Sequence, residues 1–172
     1  MRTFSTARVA AIMTLVTLAL AGCAMTSSGS SGSRHKIYES VEELVGDSTA
    51  VVVATALDQF REEAQMVTRV EVEEVLNPSG LATTGPAAAT PLEPAQVLVV
   101  RQFRHDGEPG IETGSRYLLF LNPTMLEGPT SEHFYPAGAE AGIFRAEGDG
   151  FVRISTVDVD LPELLTVADL TR

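Results

Sequence analysis

The side chains best suited to covalent, acid–base or metal chemistry are few in this sequence. It holds one thiol, Cys23, and three imidazoles, His35, His105 and His133. A thiol is a nucleophile and can be acylated, whereas an imidazole serves as a proton carrier or a metal ligand. A single cysteine forms no intramolecular disulfide, so the apolar core must hold the folded part of the chain together.

The loop 104–112 holds the densest set of candidate metal ligands, which are His105, Asp106, Glu108 and Glu112. Imidazole and carboxylate groups can together bind a divalent cation. Their spacing, however, follows no established metal-binding pattern, and polar loops contain such residues by default. We therefore predict no metal site and no cofactor.

Sequence motifs of catalysis are also missing. The sequence contains no nucleophile elbow, phosphate-binding loop, His-Glu-x-x-His pattern or EF-hand loop. A base such as His105 would need a third group and a pocket, which a sequence does not reveal. The prediction is that the protein is not an enzyme, and a hydrolase with an unrecognised active site is the alternative.

Aromatic side chains offer a second kind of candidate site. His133-Phe134-Tyr135-Pro136 follows a loop rich in glycine and proline. Because aromatic rings are enriched in recognition surfaces, one hypothesis is a surface that contains His133, Phe134 and Tyr135 together with His105 and Asp106. The alternative, which the sequence favours, is that Phe134 and Tyr135 belong to a core strand.

The segment before Cys23 has the composition of an export signal. Arg2 and Arg8 precede a run of twelve uncharged residues at 9–20. A helix that spans a bilayer needs about 20 apolar residues, and the apolar part of a signal peptide about 7–15. The run therefore predicts the signal peptide of an exported protein rather than a membrane-spanning helix.

Leu20-Ala21-Gly22-Cys23 closes this segment and resembles the lipobox of bacterial lipoproteins at every position. The resemblance implies that the Cys23 thiol receives a diacylglyceryl group carrying fatty acids such as palmitate, and that a peptidase then cuts before Cys23. Acylation of the new amino group stays open. Since two acyl chains anchor a protein firmly, we expect a lipid-anchored protein on the extracytoplasmic side of the cell membrane.

The chain accordingly divides into three segments. Residues 1–22 are the predicted signal peptide, residues 23–33 the lipidated cysteine with a Gly/Ser tether, and residues 34–172 a single β-rich domain. Ten tether residues reach roughly 16–19 Å as a flexible coil. The domain is therefore expected to stay near the membrane.

Charge argues against one class of partner. The whole chain has a formal net charge of −11, and the signal segment contributes two arginines and no acid. The rest of the chain is therefore about −13, and such a surface repels phosphate backbones. We expect no binding to nucleic acid.

Apolar and alternating runs predict strands at 50–57, 66–76, 96–103 and 116–121, and a hairpin of 143–146 with 151–155. Glu147-Gly148-Asp149-Gly150 supplies the hairpin turn. Within the second run, Val70 and Val72 share one face, but Val75 breaks the period by one residue. An extra residue at Glu73-Glu74 would return Val75 to the inner face, so we predict a β-bulge there.

Two short helices and one long loop are also predicted. Ser40-Val41-Glu42-Glu43 looks like a capping box, which opens a helix that directs Leu44 and Val45 to the core and stops at Gly46. The break at 77–94 is rich in proline and glycine and predicts a loop.

Near the C-terminus, Asp160 is predicted to cap a helix over 161–170, with Pro162 in its first turn and Glu163 completing a second capping box.

Short strands between Gly/Pro breaks predict an all-β fold with minor α content, in the form of a small antiparallel OB-like barrel with short flanking helices. The run from Asp47 through Val51-Val52-Val53, the alternating Thr68–Leu76, and Gly114-Ser115-Arg116-Tyr117-Leu118-Leu119-Phe120 resembles the netrin-like (TIMP-like) module. That resemblance spans about residues 44–121. It implies an OB-type five-stranded barrel.

This sequence departs from the netrin-like module in ways that limit what the resemblance implies about function. Disulfides common in the module are absent, and Asn77-Pro78 stands where the module often has Lys-Gly. Protease inhibitors of the TIMP group insert a free N-terminal cysteine into a zinc site, whereas Cys23 is expected to be acylated. The leading interpretation is a membrane-tethered, non-enzymatic module of the cell envelope that binds a protein or a small ligand.

Overall fold

The computed structural model describes residues 36–82, 91–104 and 108–171. Cys23, the predicted signal peptide and tether, His105 and Asp106 lie outside the described residues. The predicted loop 77–94 is described only at its two ends.

The predicted strands are present, and most are longer than the patterns that predicted them. The four long strands are β1 (Ala50–Glu62), β2 (Gln65–Leu76), β3 (Val97–Phe103) and β4 (Arg116–Pro123). The four short ones are β5 (Phe134–Pro136), β6 (Ile143–Glu147), β7 (Gly150–Arg153) and β8 (Leu164–Leu165). β6 and β7 form the predicted hairpin, in which Glu147 pairs with Gly150.

Five of these strands close into a barrel in the order β1-β2-β3-β5-β4, and pairing between β4 and β1 completes the circuit. The pairing is antiparallel except between β3 and β5, where Val100 lies opposite Phe134. The predicted small OB-like barrel is therefore confirmed. β6, β7 and β8 extend the sheet outward from β4.

The register between β1 and β4 brings their two apolar runs together. Val51, Val52 and Val53 lie opposite Phe120, Leu119 and Leu118. Residues 50–54 of β1 and 117–121 of β4 are buried on both faces, which explains why these segments are continuously apolar instead of alternating.

Two apolar clusters account for this two-sided burial. The barrel interior receives side chains from all five strands, among them Val52, Val70, Val100, Leu119 and Phe134. The second cluster lies outside the barrel wall, where α1 and the C-terminal residues cover Val51, Val53 and Phe120. Most of the stability of this disulfide-free domain must come from these two clusters.

The predicted β-bulge is confirmed at Glu73. Val53 pairs with Glu74 and Ala54 pairs with Val72, so Glu73 is the extra residue on β2. Val75, beyond the bulge, packs against the interior cluster as expected. A second bulge, at Leu57 of β1, was not predicted.

The first predicted helix is confirmed as α1 (Val41–Gly46), with Leu44 and Val45 buried. The Ser40 hydroxyl accepts the Glu43 N–H at 3.2 Å. The Glu43 carboxylate accepts the N–H of Glu39 rather than that of Ser40, so the capping box is displaced by one residue.

The predicted helix over 161–170 is wrong. Leu164–Leu165 forms the edge strand β8, and only α2 (Val167–Leu170) is helical. Its capping residues are Thr166 and Asp169 rather than Asp160 and Glu163. The reason is tertiary, because β8 covers the edge of β7 that a helix would leave unpaired.

The two faces of the wall predict different mutational costs. Leu119→Ala removes a fully buried interior side chain and should destabilise the fold by about 2–5 kcal/mol because it leaves a cavity. Glu71→Ala acts on an exposed side chain of β2 and should cost at most about 0.5 kcal/mol. Urea denaturation followed by circular dichroism measures both. Equal costs would contradict the assignment of inner and outer faces.

Candidate functional site

Strand alternation places a group of polar and aromatic side chains on the outer wall of the barrel. Arg101 and Phe103 of β3 lie opposite Val67 and Gln65 of β2, on the face away from the interior residue Val100. Because Phe134 of β5 also points inward, its neighbours fall on the outer side. We call this surface the Arg101 face, and it comprises Glu62, Gln65, Arg101, Phe103, His133 and Tyr135.

Arg101 is the centre of this face and is only 7% exposed. Its Nε donates to His133 Nδ1 at 2.8 Å, and its Nη1 donates to Gln65 Oε1 at 2.8 Å. Its Nη2 forms an ion pair with the Glu62 carboxylate. Each guanidinium nitrogen therefore has a partner, and these contacts offset the cost of removing the cation from water.

His133 is held in its neutral form by this arrangement. Burial is the largest cause that lowers its pKa, and the charge of Arg101 lowers the pKa further, while Glu62 and Glu132 oppose the shift. The contact itself requires an unprotonated Nδ1, because that nitrogen accepts the Arg101 N–H. Protonation at Nδ1 would replace this hydrogen bond by repulsion between two cations.

Two aromatic rings lie beside the guanidinium. Phe103 and Tyr135 stack with their centroids 6.1 Å apart and an interplanar angle of 17°. The Tyr135 hydroxyl accepts a hydrogen bond from Gln65 Nε2 at 3.1 Å, which links the stack to Arg101 through one side chain. Phe60 lies on the same outer wall, opposite Val67, and is half-exposed.

The Arg101 face is shallow. The depression between Arg101, Phe103, Tyr135 and Glu140 holds only about 20 Å³ of space, room for about one water molecule. Small-molecule sites are concave and larger, typically about 300–1,000 Å³. The geometry suits contact with a broad surface better than enclosure of a small ligand.

The structure separates the residues that the sequence grouped as a recognition surface. His133 and Tyr135 come together with Arg101, whereas Phe134 is buried in the barrel interior, in line with the core-strand interpretation. His105 and Asp106 lie outside the described residues.

Sequence reasoning missed four members of the face, Glu62, Gln65, Arg101 and Phe103. The alternation of β3 could have placed Arg101 and Phe103 together on the outer side, since Leu98 and Val100 face inward. The alternation of β3 could not reveal the partners of Arg101, because these contacts join residues that lie 32 to 39 positions apart in the sequence.

The described residues contain neither a metal-ligand cluster nor a membrane-spanning helix. No three histidine, cysteine, aspartate or glutamate side chains among them are grouped to hold a metal ion. None of their helices has the length and apolarity needed to cross a membrane.

Comparison of the sequence with protein-family models and with curated proteins finds no match.

The Arg101–His133 contact predicts a pH dependence of stability. The pKa of His133 is lowered in the fold, so the unfolded chain binds the proton more readily. The contribution of His133 to stability should be fully present above its pKa of about 6.5 in the unfolded chain, and it should be lost as the pH drops below that value. Urea denaturation between pH 5 and pH 8 measures this slope.

His133→Gln is the matched variant, since a glutamine oxygen can accept the Arg101 N–H but does not titrate. It should show a smaller loss of stability over the same pH range. His35 and His105 are present in both proteins, so their contribution cancels. Identical slopes in the two proteins would disprove the assigned role of His133.

Proposed function

We propose that this protein is a lipid-anchored, non-enzymatic module of the cell envelope, and that it binds another protein through the Arg101 face. The single observation that supports the location is the motif Leu20-Ala21-Gly22-Cys23 directly after the twelve uncharged residues at 9–20. A signal segment too short to span the bilayer, followed by a cysteine in a lipobox-like motif, supports a folded domain anchored outside the cytoplasm.

The filled barrel supports binding at the outer wall rather than inside. Tyr117, Leu119, Phe134 and Ile143 are large side chains within the interior cluster, and the first two and Ile143 have no exposed surface. A ligand in the interior would have to displace this packing, which is costly in a close-packed core.

The composition of the Arg101 face supports a protein as the occupant. Tyrosine, phenylalanine and arginine are enriched at the centres of protein interfaces. Here Gln65, itself bonded to Arg101, already holds the Tyr135 ring on which Phe103 stacks, so little side-chain freedom is lost on association. With about −13 charges on the mature chain, the partner surface is expected to be neutral or basic.

The environment of His133 argues against the alternative function, an envelope hydrolase. A catalytic histidine is typically oriented by a carboxylate and lies beside a nucleophile. His133 instead accepts a hydrogen bond from a cation, which opposes proton uptake at that nitrogen.

Lipidation is tested by replacing one atom. In a host with the lipoprotein pathway, the wild-type chain should incorporate labelled palmitate and partition into the detergent phase. Cys23→Ser replaces the thiol sulfur by oxygen and should abolish both properties, because Cys23 is the only thiol. A wild-type protein that takes up no label would refute the proposed anchor.

The binding face is tested by site-specific photocrosslinking in native membranes. A photoreactive phenylalanine analogue at position 103 should give a discrete protein adduct, because Phe103 belongs to the proposed interface and is 51% exposed. The same analogue at Leu164, which is 54% exposed on the distant edge strand β8, is the control and should give none. Identical adduct patterns at both positions, or no adduct at position 103, would rule out this face.

A further inference from the structure

The loop 155–159 holds two valines exposed to solvent on a backbone that hydrogen bonds keep fixed. Val159 is 69% exposed and Val157 is 48% exposed, while Asp158 between them is completely buried. Ile37, close to the point where the described domain begins, is 57% exposed. Holding apolar side chains in water costs free energy. The contacts that fix this loop therefore show how the two valines are kept exposed.

Asp158 fixes the loop. Its carboxylate accepts the Ser155 hydroxyl at 2.5 Å and the Tyr38 N–H at 3.3 Å. Arg153 donates through Nη1 to the carbonyl of Asp158 and to that of Leu161, the latter at 2.7 Å. With Asp158 tied inward from both sides, its neighbours Val157 and Val159 are held outward.

The same contacts place the loop beside the entry of the predicted tether. Tyr38, which donates to Asp158, directly follows Ile37, and both lie just after the first described residue, Lys36. Twelve residues lie between Cys23 and Lys36, and the predicted tether would span roughly 17–21 Å as a coil. A lipid on Cys23 would therefore keep this part of the domain within one tether length of the bilayer.

From this arrangement we propose that Ile37, Val157 and Val159 form a contact site for the lipid bilayer surface, which sets the orientation of the barrel on the membrane. The proposal rests on the proposed lipid anchor. Tethering raises the effective concentration of the bilayer at the domain, so a contact too weak to recruit a soluble protein becomes populated.

The charges around the contact site specify the kind of bilayer. Both cations near the contact site already have partners: Arg153 donates to the carbonyls of Asp158 and Leu161, and Lys36 pairs with Glu43 at 2.8 Å and Asp47 at 2.6 Å. Asp160 follows Val159 and is exposed. These carboxylates disfavour an anionic surface and deep insertion, so the contact suits shallow insertion into a zwitterionic bilayer.

The chain has no tryptophan, so a single introduced tryptophan reports on its own position. V157W and V97W form a matched pair, because both valines are 48% exposed. The lipidated full chain is reconstituted into phosphatidylcholine vesicles with brominated acyl chains. V157W emission should shift to the blue and be quenched, whereas V97W should show neither effect.

Adding V159D to V157W should remove most of the quenching, and so should replacing part of the phosphatidylcholine by phosphatidylglycerol. Equal quenching of V157W and V97W, or quenching that V159D leaves unchanged, would overturn the proposal. A blue-shifted V157W emission in the Cys23→Ser chain without vesicles would overturn it as well, since protein would then cover the valines.

The anchor and the contact can fail separately. Mass spectrometry of Cys23 first shows whether the chain is lipidated, which tests the proposed function alone. If Cys23 carries no lipid, its thiol is coupled to a maleimide phospholipid in the vesicles, and the same comparison of V157W with V97W is made. Quenching of V157W would then support the contact although the natural anchor had failed.

Discussion

The barrel depends on β1, which hydrogen-bonds along one edge to β2 and along the other to β4. This double pairing closes the sheet and leaves no open edge among these three strands. It also divides the apolar residues of β1 between two clusters, with Val52 in the barrel interior and Val51 and Val53 outside the wall. A chain with one cysteine has no disulfide to replace this arrangement, so a defect in β1 would weaken both clusters at once.

The two β-bulges decide which side chains reach the outer wall, because inserting one residue reverses the facing of all that follow. The bulge at Glu73 brings its carboxylate to Thr55 and Arg116, each at 2.6 Å, so one side chain links β2 to β1 and β4. The bulge at Leu57 sends Phe60 and Glu62 outward. Without it, Glu62 would face the barrel and Arg101 would be a buried cation without its carboxylate partner.

Sequence patterns revealed the elements that local chemistry determines. The Glu73 bulge was predictable because acids alternate with valines on β2, so a break in the period is visible. The Leu57 bulge was not, since Val51–Ala56 is apolar on both faces and has no period to break. The C-terminal helix failed for a different reason: Asp160, Pro162 and Glu163 form a local helix-start pattern, yet pairing of β8 with β7 determines the backbone. The Arg101 face required contacts between distant strands, which no local pattern encodes.

Arg101 occupies a position where an aliphatic residue would be the simpler choice, because well-packed apolar side chains often replace buried ion pairs without loss of stability. An aliphatic residue here would join half-exposed Phe60 and Phe103 in a larger apolar patch, which favours nonspecific association. The guanidinium instead holds Gln65, and Gln65 in turn holds the Tyr135 hydroxyl, which fixes the ring that stacks on Phe103. The cation thus orders the aromatic surface, and for the proposed partner a surface ordered in advance loses less conformational entropy on binding. The polar network is better explained by this ordering than by the stability that it adds to the barrel.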